Sequence, residues 1–317
     1  MDEFPRTRPE FNERFASEAA CRDYLFARRW PNGFCCPRCG HVKGWVNERG
    51  LIECAACGHQ VSLTAGTIFH GTKKPLRLWF EALFLMVSFK TGLSAKGLSV
   101  LLGVSYPTAW TWLHKLRHAM QGRAQSPLGG VVEIDETYWG AKRKGLIGRP
   151  KSGQGQQMVL VAAEDHDGFL GRVRLAAVTS HTKAGVGQAV EAMVAPGCTV
   201  RTDGLRCYAQ LARDGYAHRP EIIGKDTARS AWLFPHVHRV ASLLKRWLAG
   251  THQGAVRAKH LPAYLEEFEF RFNRRTSKHR TLLFERLIGC AVTSQAKPYW
   301  RILQRYAPNC PLQVGAT

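Results

Sequence analysis

Apolar positions recur at helical spacing in three successive stretches, Leu76 to Phe89, Ser94 to Leu102 and Ser105 to about Met120, broken at Gly92 and at Gly103-Val104. An earlier run of Ala19, Ala20, Tyr24, Leu25 and Phe26 predicts a helix between Ala16 and Trp30, ended by Pro31-Asn32-Gly33. Residues 34–70 have no helical stripe. Their Gly punctuation and apolar pairs, Trp45-Val46 and Leu51-Ile52, predict small hairpins. Gln121 to Gly130, rich in Gly, Ser, Pro and Gln, reads as a linker, and beyond it the period changes. Val131–Trp139, Met158–Ala163, Arg172–Val178 and Cys198–Thr202 predict short strands, with a helix at Lys183–Val194 between the third and fourth. Helices return at Val237–Ala249, Pro262–Arg274 and Leu282–Ala291. Strands, a helix and a further strand make a mixed α/β sheet the expected fold of this half. The resulting division is 1–70, 71–120, a linker at 121–130, a mixed-sheet region at 131–295 and a tail at 296–317.

Charge changes the picture. The chain of 317 residues has 45 Lys and Arg against 24 Asp and Glu, a formal net charge of +21. Such a surplus points to a polyanionic partner, nucleic acid first. With 45% apolar residues, there is material for packed cores and a wholly disordered chain is excluded. The run Leu78 to Phe89 is interrupted by Glu81 and falls short of the roughly 20 residues of a spanning helix. Residues 1–30 lack the apolar core of a secretory signal, so the expectation is a cytoplasmic protein with no membrane partner. In that reducing setting ten cysteines suit metal ligation and buried thiols better than disulfides.

Cys36-Pro37-Arg38-Cys39-Gly40 and Cys54-Ala55-Ala56-Cys57-Gly58 are two CxxC knuckles with 14 residues between them. A two-residue spacer lets one tight turn aim both sulfurs at one ion, and four thiolates complete a tetrahedral zinc site. A redox CxxC is the alternative, disfavoured by the duplication; Cys35 could in principle replace Cys36. With no open position the zinc is expected to be structural, stapling a module too small for a core of its own. Cys21, Cys198, Cys207, Cys290 and Cys310 are scattered and read as buried or incidental thiols.

Leu93 through Leu113 has helix, Gly-containing turn and helix at helix-turn-helix spacing, with Ser105 as N-cap and Pro107 in the first turn of the second helix. Thr108, Thr111, His114 and Lys115 are then its expected exposed, DNA-contacting face, and Trp110, Leu113 and Leu116 its packed one. A plain three-helix packing unit is the competing reading.

Val131 to Gly140, VEIDETYWG from Val132, places carboxylates inside an apolar strand. Burying a charge there is costly unless it is used. Alternation sets Asp135 opposite Val132 and Ile134 and Glu136 on their side, making Asp135 the candidate for a sheet face open to solvent. Cys198 to Gly204 repeats the device, with Asp203 at a strand end before a Gly turn. Two such carboxylates brought together can hold Mg²⁺ or Mn²⁺. In a helix beginning near Pro235, Val240, Leu243, Leu244 and Trp247 form an apolar stripe, with His238, Ser242 and Lys245 opposite. His238 and Lys245 then project the same way, about 10 Å apart along the axis. A solvated polar face is the plainer account of that pattern.

The ribbon, the helix-turn-helix, VEIDETYWG, RTDG, LLKRWLAGTHQGAV and HLPAYLEEFEFRFNRR together resemble the zinc-ribbon insertion-sequence transposases of bacteria, of the DDE class with a ribonuclease-H-like catalytic core. The resemblance runs from about Phe15 to Arg286. It implies that Asp135 is the first catalytic ligand, Asp203 the second and His238 the third, with Lys245 as the DNA-phosphate partner seven residues on. It further implies metal-dependent cleavage and strand transfer at terminal inverted repeats, with Asp135 bridging two metal ions. Partners would be double-stranded DNA, transposon ends and target, and other copies of the chain as an oligomer on DNA in the nucleoid. His stands where the acidic pattern has Glu, which leaves the site one negative charge poorer and favours Mn²⁺. Glu266, Glu267 or Glu269 could supply a third carboxylate, although Leu261, Leu265, Phe268 and Phe272 suggest an amphipathic helix with a solvated acidic face.

Two basic blocks flank these motifs: Lys142, Arg143 and Lys144 with Arg149 and Lys151, and Arg271, Arg274, Arg275, Lys278 and Arg280. Phosphate contact is the reading favoured for Lys142, Arg143, Lys144, Arg274 and Arg275. Phe268, Phe270 and Phe272, interleaved with the second block, are expected in the core. An inactive DNA-binding regulator and a general metal-dependent endonuclease of the same fold are the competing functions.

Overall fold

The computed structural model describes residues 5–121, 126–141, 156–179, 182–222, 232–279 and 281–303. The chain forms two compact units, residues 1–123 with 275–303, and residues 124–274.

In the first unit, α1 (Arg8–Arg14) and α2 (Glu18–Arg29) start at Thr7 and Ser17, whose hydroxyls accept from the amides of Glu10 and Ala20. The sequence reading had α2 but not α1. A three-stranded antiparallel sheet follows, β1 (Gly44–Val46), β2 (Ile52–Cys54) and β3 (Gln60–Val61). Helix α3 (Leu76–Ser88) buries nearly every side chain from Trp79 to Val87, which makes it a core helix. α4 (Ala95–Leu102) is capped by Ser94 and ends at Gly103 in the left-handed region, φ 61°. α5 (Tyr106–Met120) starts at Ser105.

The second unit is built on a five-stranded sheet of β4 (Val131–Trp139), β5 (Gln157–His166), β6 (Phe169–Val178), β7 (Thr199–Thr202) and β8 (Ala217–Pro220), in the order β6-β5-β4-β7-β8. β4, β5 and β6 run antiparallel, the last two joined by Asp167-Gly168 with both φ positive, a hairpin turn suited to strand twist. β7 and β8 run parallel to β4. This order and these directions are those of a ribonuclease-H-like sheet, as expected.

Helix α6 (Lys183–Met193) covers one face, where Val186, Val190 and Met193 meet Val132, Ile134, Leu160 and Ala162. α7 (Pro235–Gly250) and α8 (Leu261–Phe272) cover the other, where Val237, Val240, Leu244, Leu265 and Phe268 meet Val159, Val161 and Ala163. Asp135 therefore does not lie on an open sheet face. Alternation placed it correctly opposite Ile134, but that face is roofed by α7, and Asp135 is half-buried.

Helices α9 (Leu282–Thr293) and α10 (Tyr299–Leu303) belong to the first unit. α9 packs on α2, α3 and α5, and Phe284 joins a ring cluster with Phe11, Phe15, Phe80 and Phe84. The sequence division carried the mixed-sheet region on to 295. Among the described residues, no helix is long and apolar enough to cross a membrane.

Candidate active site and zinc centre

The ribbon builds its centre from two copies of one turn. Cys36 N donates to His41 O and Gly40 N to Cys36 O, both at 2.9 Å; Cys54 N donates to His59 O and Gly58 N to Cys54 O, both at 3.0 Å. Gly40 (φ 74°) and Gly58 (φ 61°) take the left-handed conformation each turn requires. The sulfurs of Cys36, Cys39, Cys54 and Cys57 all lie within 4.8 Å of one another. Cys36 and Cys57 are 3.8 Å apart and Cys39 and Cys54 3.6 Å apart. A tetrahedron with Zn–S near 2.3 Å has edges of roughly 3.8 Å, so the donors fit zinc. Burial opposes a Cys36 thiolate, but the Cys39 and Arg38 amides outweigh it and hold the thiol down to about 7. Cys35 is exposed, its sulfur turned to Gly40 O at 3.6 Å, and it lies outside the four-sulfur group that includes Cys36. Cys21 is fully buried and its thiol is pushed up to about 12 by that burial.

The acidic site lies where β7 stops pairing with β4. The register joins Glu133 to Arg201, so Asp135 stands two residues further along β4 and Asp203 just past the end of the neighbouring parallel strand. Asp203 begins a turn in which Gly204 has φ 76° and Leu205 N donates to its Oδ1 at 3.2 Å. Asp135 Oδ1 accepts from the Glu136 amide at 2.8 Å, while its Oδ2 faces His238 Nε2 at 3.9 Å. One oxygen each from Asp135, Glu136 and Asp203 lies within 4.8 Å of the others. Carboxylate oxygens at this spacing with an adjacent imidazole suit a divalent cation such as Mg²⁺ or Mn²⁺.

Glu136 is the residue the sequence reading passed over. Alternation put it with Ile134, away from Asp135, yet Asp203 lies past the end of β7 and meets it there. The signal was present in the tyrosine after the T-D-G turn: Tyr208, 1% exposed, donates its hydroxyl to Glu136 Oε2 at 2.9 Å. Burial first, then the charges of Glu136 and Asp135, hold that phenol well above its ordinary range, so it stays a donor. Burial, then Lys245, lowers the His238 imidazole, which favours the neutral ligand form. Lys245 is exposed on the same side of α7, two turns on.

Beneath this site is a second polar cluster. Glu133, 1% exposed, accepts at Oε2 from the amides of His236 (2.9 Å) and Val237 (3.1 Å). Arg201 Nη1 is 3.7 Å from Glu133 Oε1 and 3.6 Å from Asp165 Oδ2, and His236 Nε2 is 3.3 Å from Asp165 Oδ1.

Several expected contacts lie elsewhere than the sequence suggested. His114 is buried, at 4% exposure, and Thr108, Thr111 and Lys115 are half-buried, because α5 is flanked by both α4 and α9. Thr111 Oγ1 donates to Pro107 O, and the Lys115 ammonium lies 5.8 Å from the centre of the Trp79 ring. Only the first turn, Ser105 to Pro107, is open. Arg274 Nη1 donates to Phe270 O at 3.0 Å, its guanidinium 4.2 Å from the centre of that ring, while Arg275 is exposed. Lys142, Arg143 and Lys144, like Arg149, Lys151, Arg280 and Cys310, lie outside the described residues. The acidic face of α8 is not solvated: Glu267 and Glu269 are buried, Glu267 lies 3.9 Å from Arg271, and Glu269 accepts from Leu175 N and pairs with Arg174 at 3.2 Å on β6. Phe268 and Phe270 are core residues, as expected.

Two family models match the chain: the transposase zinc-ribbon domain at residues 16–60, and the ISXO2-like transposase domain at residues 127–273. A protein of transposable element ISH50 in Halobacterium salinarum is 28% identical over 283 residues, covering 81% of this chain and 91% of the relative. Among solved structures, the Mos1 strand transfer complex is matched at 13% identity over 60% of this chain and 76% of that one, with a TM-score of 0.21.

Proposed function

This chain belongs to the zinc-ribbon insertion-sequence transposases with an ISXO2-like transposase domain, and on that premise we propose that it cuts and joins DNA at the terminal inverted repeats of its element. Asp135, Asp203 and His238 are the ligands of the catalytic metal, Mn²⁺ or Mg²⁺. The observation that carries this reading is the convergence of Asp135 and Asp203 from in-register parallel strands, with His238 Nε2 set 3.9 Å from Asp135 Oδ2.

Divalent ions bound there supply an activated nucleophile and offset charge on the leaving oxygen in an in-line phosphoryl transfer. The residues themselves do the positioning. The Glu136 amide occupies Asp135 Oδ1 and leaves Oδ2 toward His238; the Leu205 amide fixes Asp203; Tyr208 holds Glu136. Glu136 adds a third carboxylate, which restores charge to a site whose third ligand is a neutral imidazole. Lys245 contacts a DNA phosphate as a point charge beside the cut. Further phosphate contacts come from Lys142, Arg143, Lys144 and Arg275, and from the open first turn of α5, Ser105 to Pro107. The ribbon cysteines hold structural Zn²⁺, and the protein works as an oligomer on DNA in the nucleoid.

The test is a nicking and joining assay on labelled duplex carrying the element ends, with Mn²⁺ or Mg²⁺. Metal-dependent nicks at a defined end, lost in Asp203→Asn and reduced in His238→Ala, are the expected result. End binding without nicking under either metal would make the chain a DNA-binding regulator; nicks along any duplex would make it a general endonuclease.

A further inference from the structure

Glu133 is a buried carboxylate two residues before Asp135 on the same strand face, and nothing in the proposed chemistry uses it. Its contacts point to the start of α7. That helix has no side-chain cap from its own N-cap residue, Phe234. The amides of His236 and Val237, which no turn of helix can satisfy, are both taken by Glu133 Oε2, at 2.9 and 3.1 Å. A carboxylate at a helix N-terminus is also favoured by the helix dipole.

Its surroundings reinforce the link. Arg201, the register partner of Glu133 on β7, reaches Glu133 and Asp165 and donates through Nη2 to Leu233 O at 2.9 Å, just before the helix. Asp165 on β5 faces His236. β4, β5 and β7 thus each send one charged side chain to the first turn of α7. Glu133, Asp165 and His236 are close enough to hold a metal ion. Arg201 already lies within 3.7 Å of both carboxylates and supplies the positive charge there, so this cluster is a clamp and not a second metal site.

We propose that Glu133 is a positioning residue of the active site: by fixing the first amides of α7 to β4, it sets His238 against Asp135. The stripe Val237, Val240, Leu244 and Leu248 holds α7 on the sheet, but apolar contact is non-directional and tolerates sliding along the axis. Two hydrogen bonds to one oxygen do not. A one-residue slip of α7 would move His238 by about 1.5 Å and turn it by about 100°, away from Asp135. The proposal rests on His238 being a metal ligand, and its test separates the two claims.

Mn²⁺ affinity of the full-length protein, read by electron paramagnetic resonance, is compared for wild type, Glu133→Gln, Glu133→Asp, His238→Ala and the Glu133→Asp/His238→Ala double variant. Gln keeps an acceptor for both amides without the charge; Asp keeps the charge but draws it back by one methylene. Positioning predicts Mn²⁺ binding within about threefold of wild type for Gln and weakened on the order of tenfold for Asp, with no further loss when Asp is added to His238→Ala. A loss in Gln equal to that in Asp, wild-type affinity in Asp, or an Asp effect that persists in the His238→Ala background would each overturn it. Wild-type affinity in His238→Ala would remove the ligand reading and the proposal with it. Hydrogen exchange in the unmutated protein supplies a check independent of variant folding. The His236 and Val237 amides should exchange as slowly as the interior of α7, and exchange at the rate of open first-turn amides would refute the clamp.

Discussion

The two candidate metal centres are assembled in opposite ways. In the ribbon, four sulfurs converge because one turn is used twice, and almost every contact that aims them lies within five residues of a ligand. At the acidic site, Asp135 and Glu136 come from a strand and Asp203 from the turn after a second strand, sheet register brings these three together, and the seating of α7 sets His238 beside Asp135. The ribbon has only a small apolar cluster around its sulfurs, with Phe34, Ile52 and Val61 at its centre, so its geometry is expected to lean on a bound metal. The acidic site stands on a closed core on both sheet faces and keeps its shape for other reasons. Removing a ligand should therefore cost fold in one place and chemistry in the other.

The largest effect is expected at the ribbon. Structural zinc supplies on the order of 10 kcal/mol of folding free energy in small modules. Stripping zinc with a strong chelator, or Cys54→Ser, should open residues 34–61 to protease while the five-stranded sheet keeps its circular dichroism. Cys35→Ser should retain one equivalent of zinc. A ribbon that resists protease without metal would remove the contrast.

Next comes the chemistry. Asp203→Asn should lower strand cleavage on the order of a thousandfold, about 4 kcal/mol in barrier, with a melting temperature equal to or above wild type. Two close carboxylates repel each other in the metal-free protein, so neutralising one relieves strain even as it removes a ligand. A large drop in melting temperature alongside the lost activity would mean that Asp203 is structural.

A smaller change, on the order of ten- to a hundredfold, is expected for His238→Ala, scaled to the loss of one neutral ligand. His238→Glu should shift the preference from Mn²⁺ toward Mg²⁺ by restoring an oxygen donor. Cleavage rates in each metal, with Glu136→Gln alongside, sharpen the assignment. A greater loss in Glu136→Gln than in His238→Ala would make the carboxylate beside Tyr208 the third ligand.

The same contrast explains what the sequence made legible. The ribbon ligands could be read from spacing because the turn that aims them is local. β4 was read with its observed bounds, and the alternation of Asp135 against Ile134 held. Whether a face is open, however, depends on what packs there from far along the chain. α7 roofs the Asp135 face, and α4 and α9 both pack on α5, where His114 was expected in solvent but is buried. Glu136 escaped for a related reason: parity describes a strand, not a neighbour that has already left the sheet. β8, Ala217–Pro220, carries no apolar alternation and ends in proline, as an edge strand can. α1 could have been found, because Thr7, Pro9 and Glu10 are start signals.

The smallest predicted effect separates a carboxylate that holds the fold from those proposed to hold a metal. Glu164 on β5 is 3% exposed and fully engaged: Arg172 Nη2 donates to Oε1 at 2.6 Å, and the amides of Gly129 and Arg172 donate at 3.0 Å each. Burial alone would raise its carboxyl, but the Arg172 hydrogen bonds and these amides outweigh it and pull the group from 4.5 down to about 2. A folded-state value below the unfolded one stabilises the protein above the unfolded value, and the gain disappears as pH falls through about 2. Arg172 is 42% exposed, so solvent screens the pair, and the discounted contribution is on the order of 1–2 kcal/mol. Denaturant melts of wild type and Glu164→Gln should differ by that amount at pH 7 and converge between pH 4.5 and 2. Asp203→Asn, tested in the same way, should show no such deficit at pH 7. Equal deficits in the two variants would mean that Asp203, like Glu164, serves the fold, and would count against its proposed role as a metal ligand.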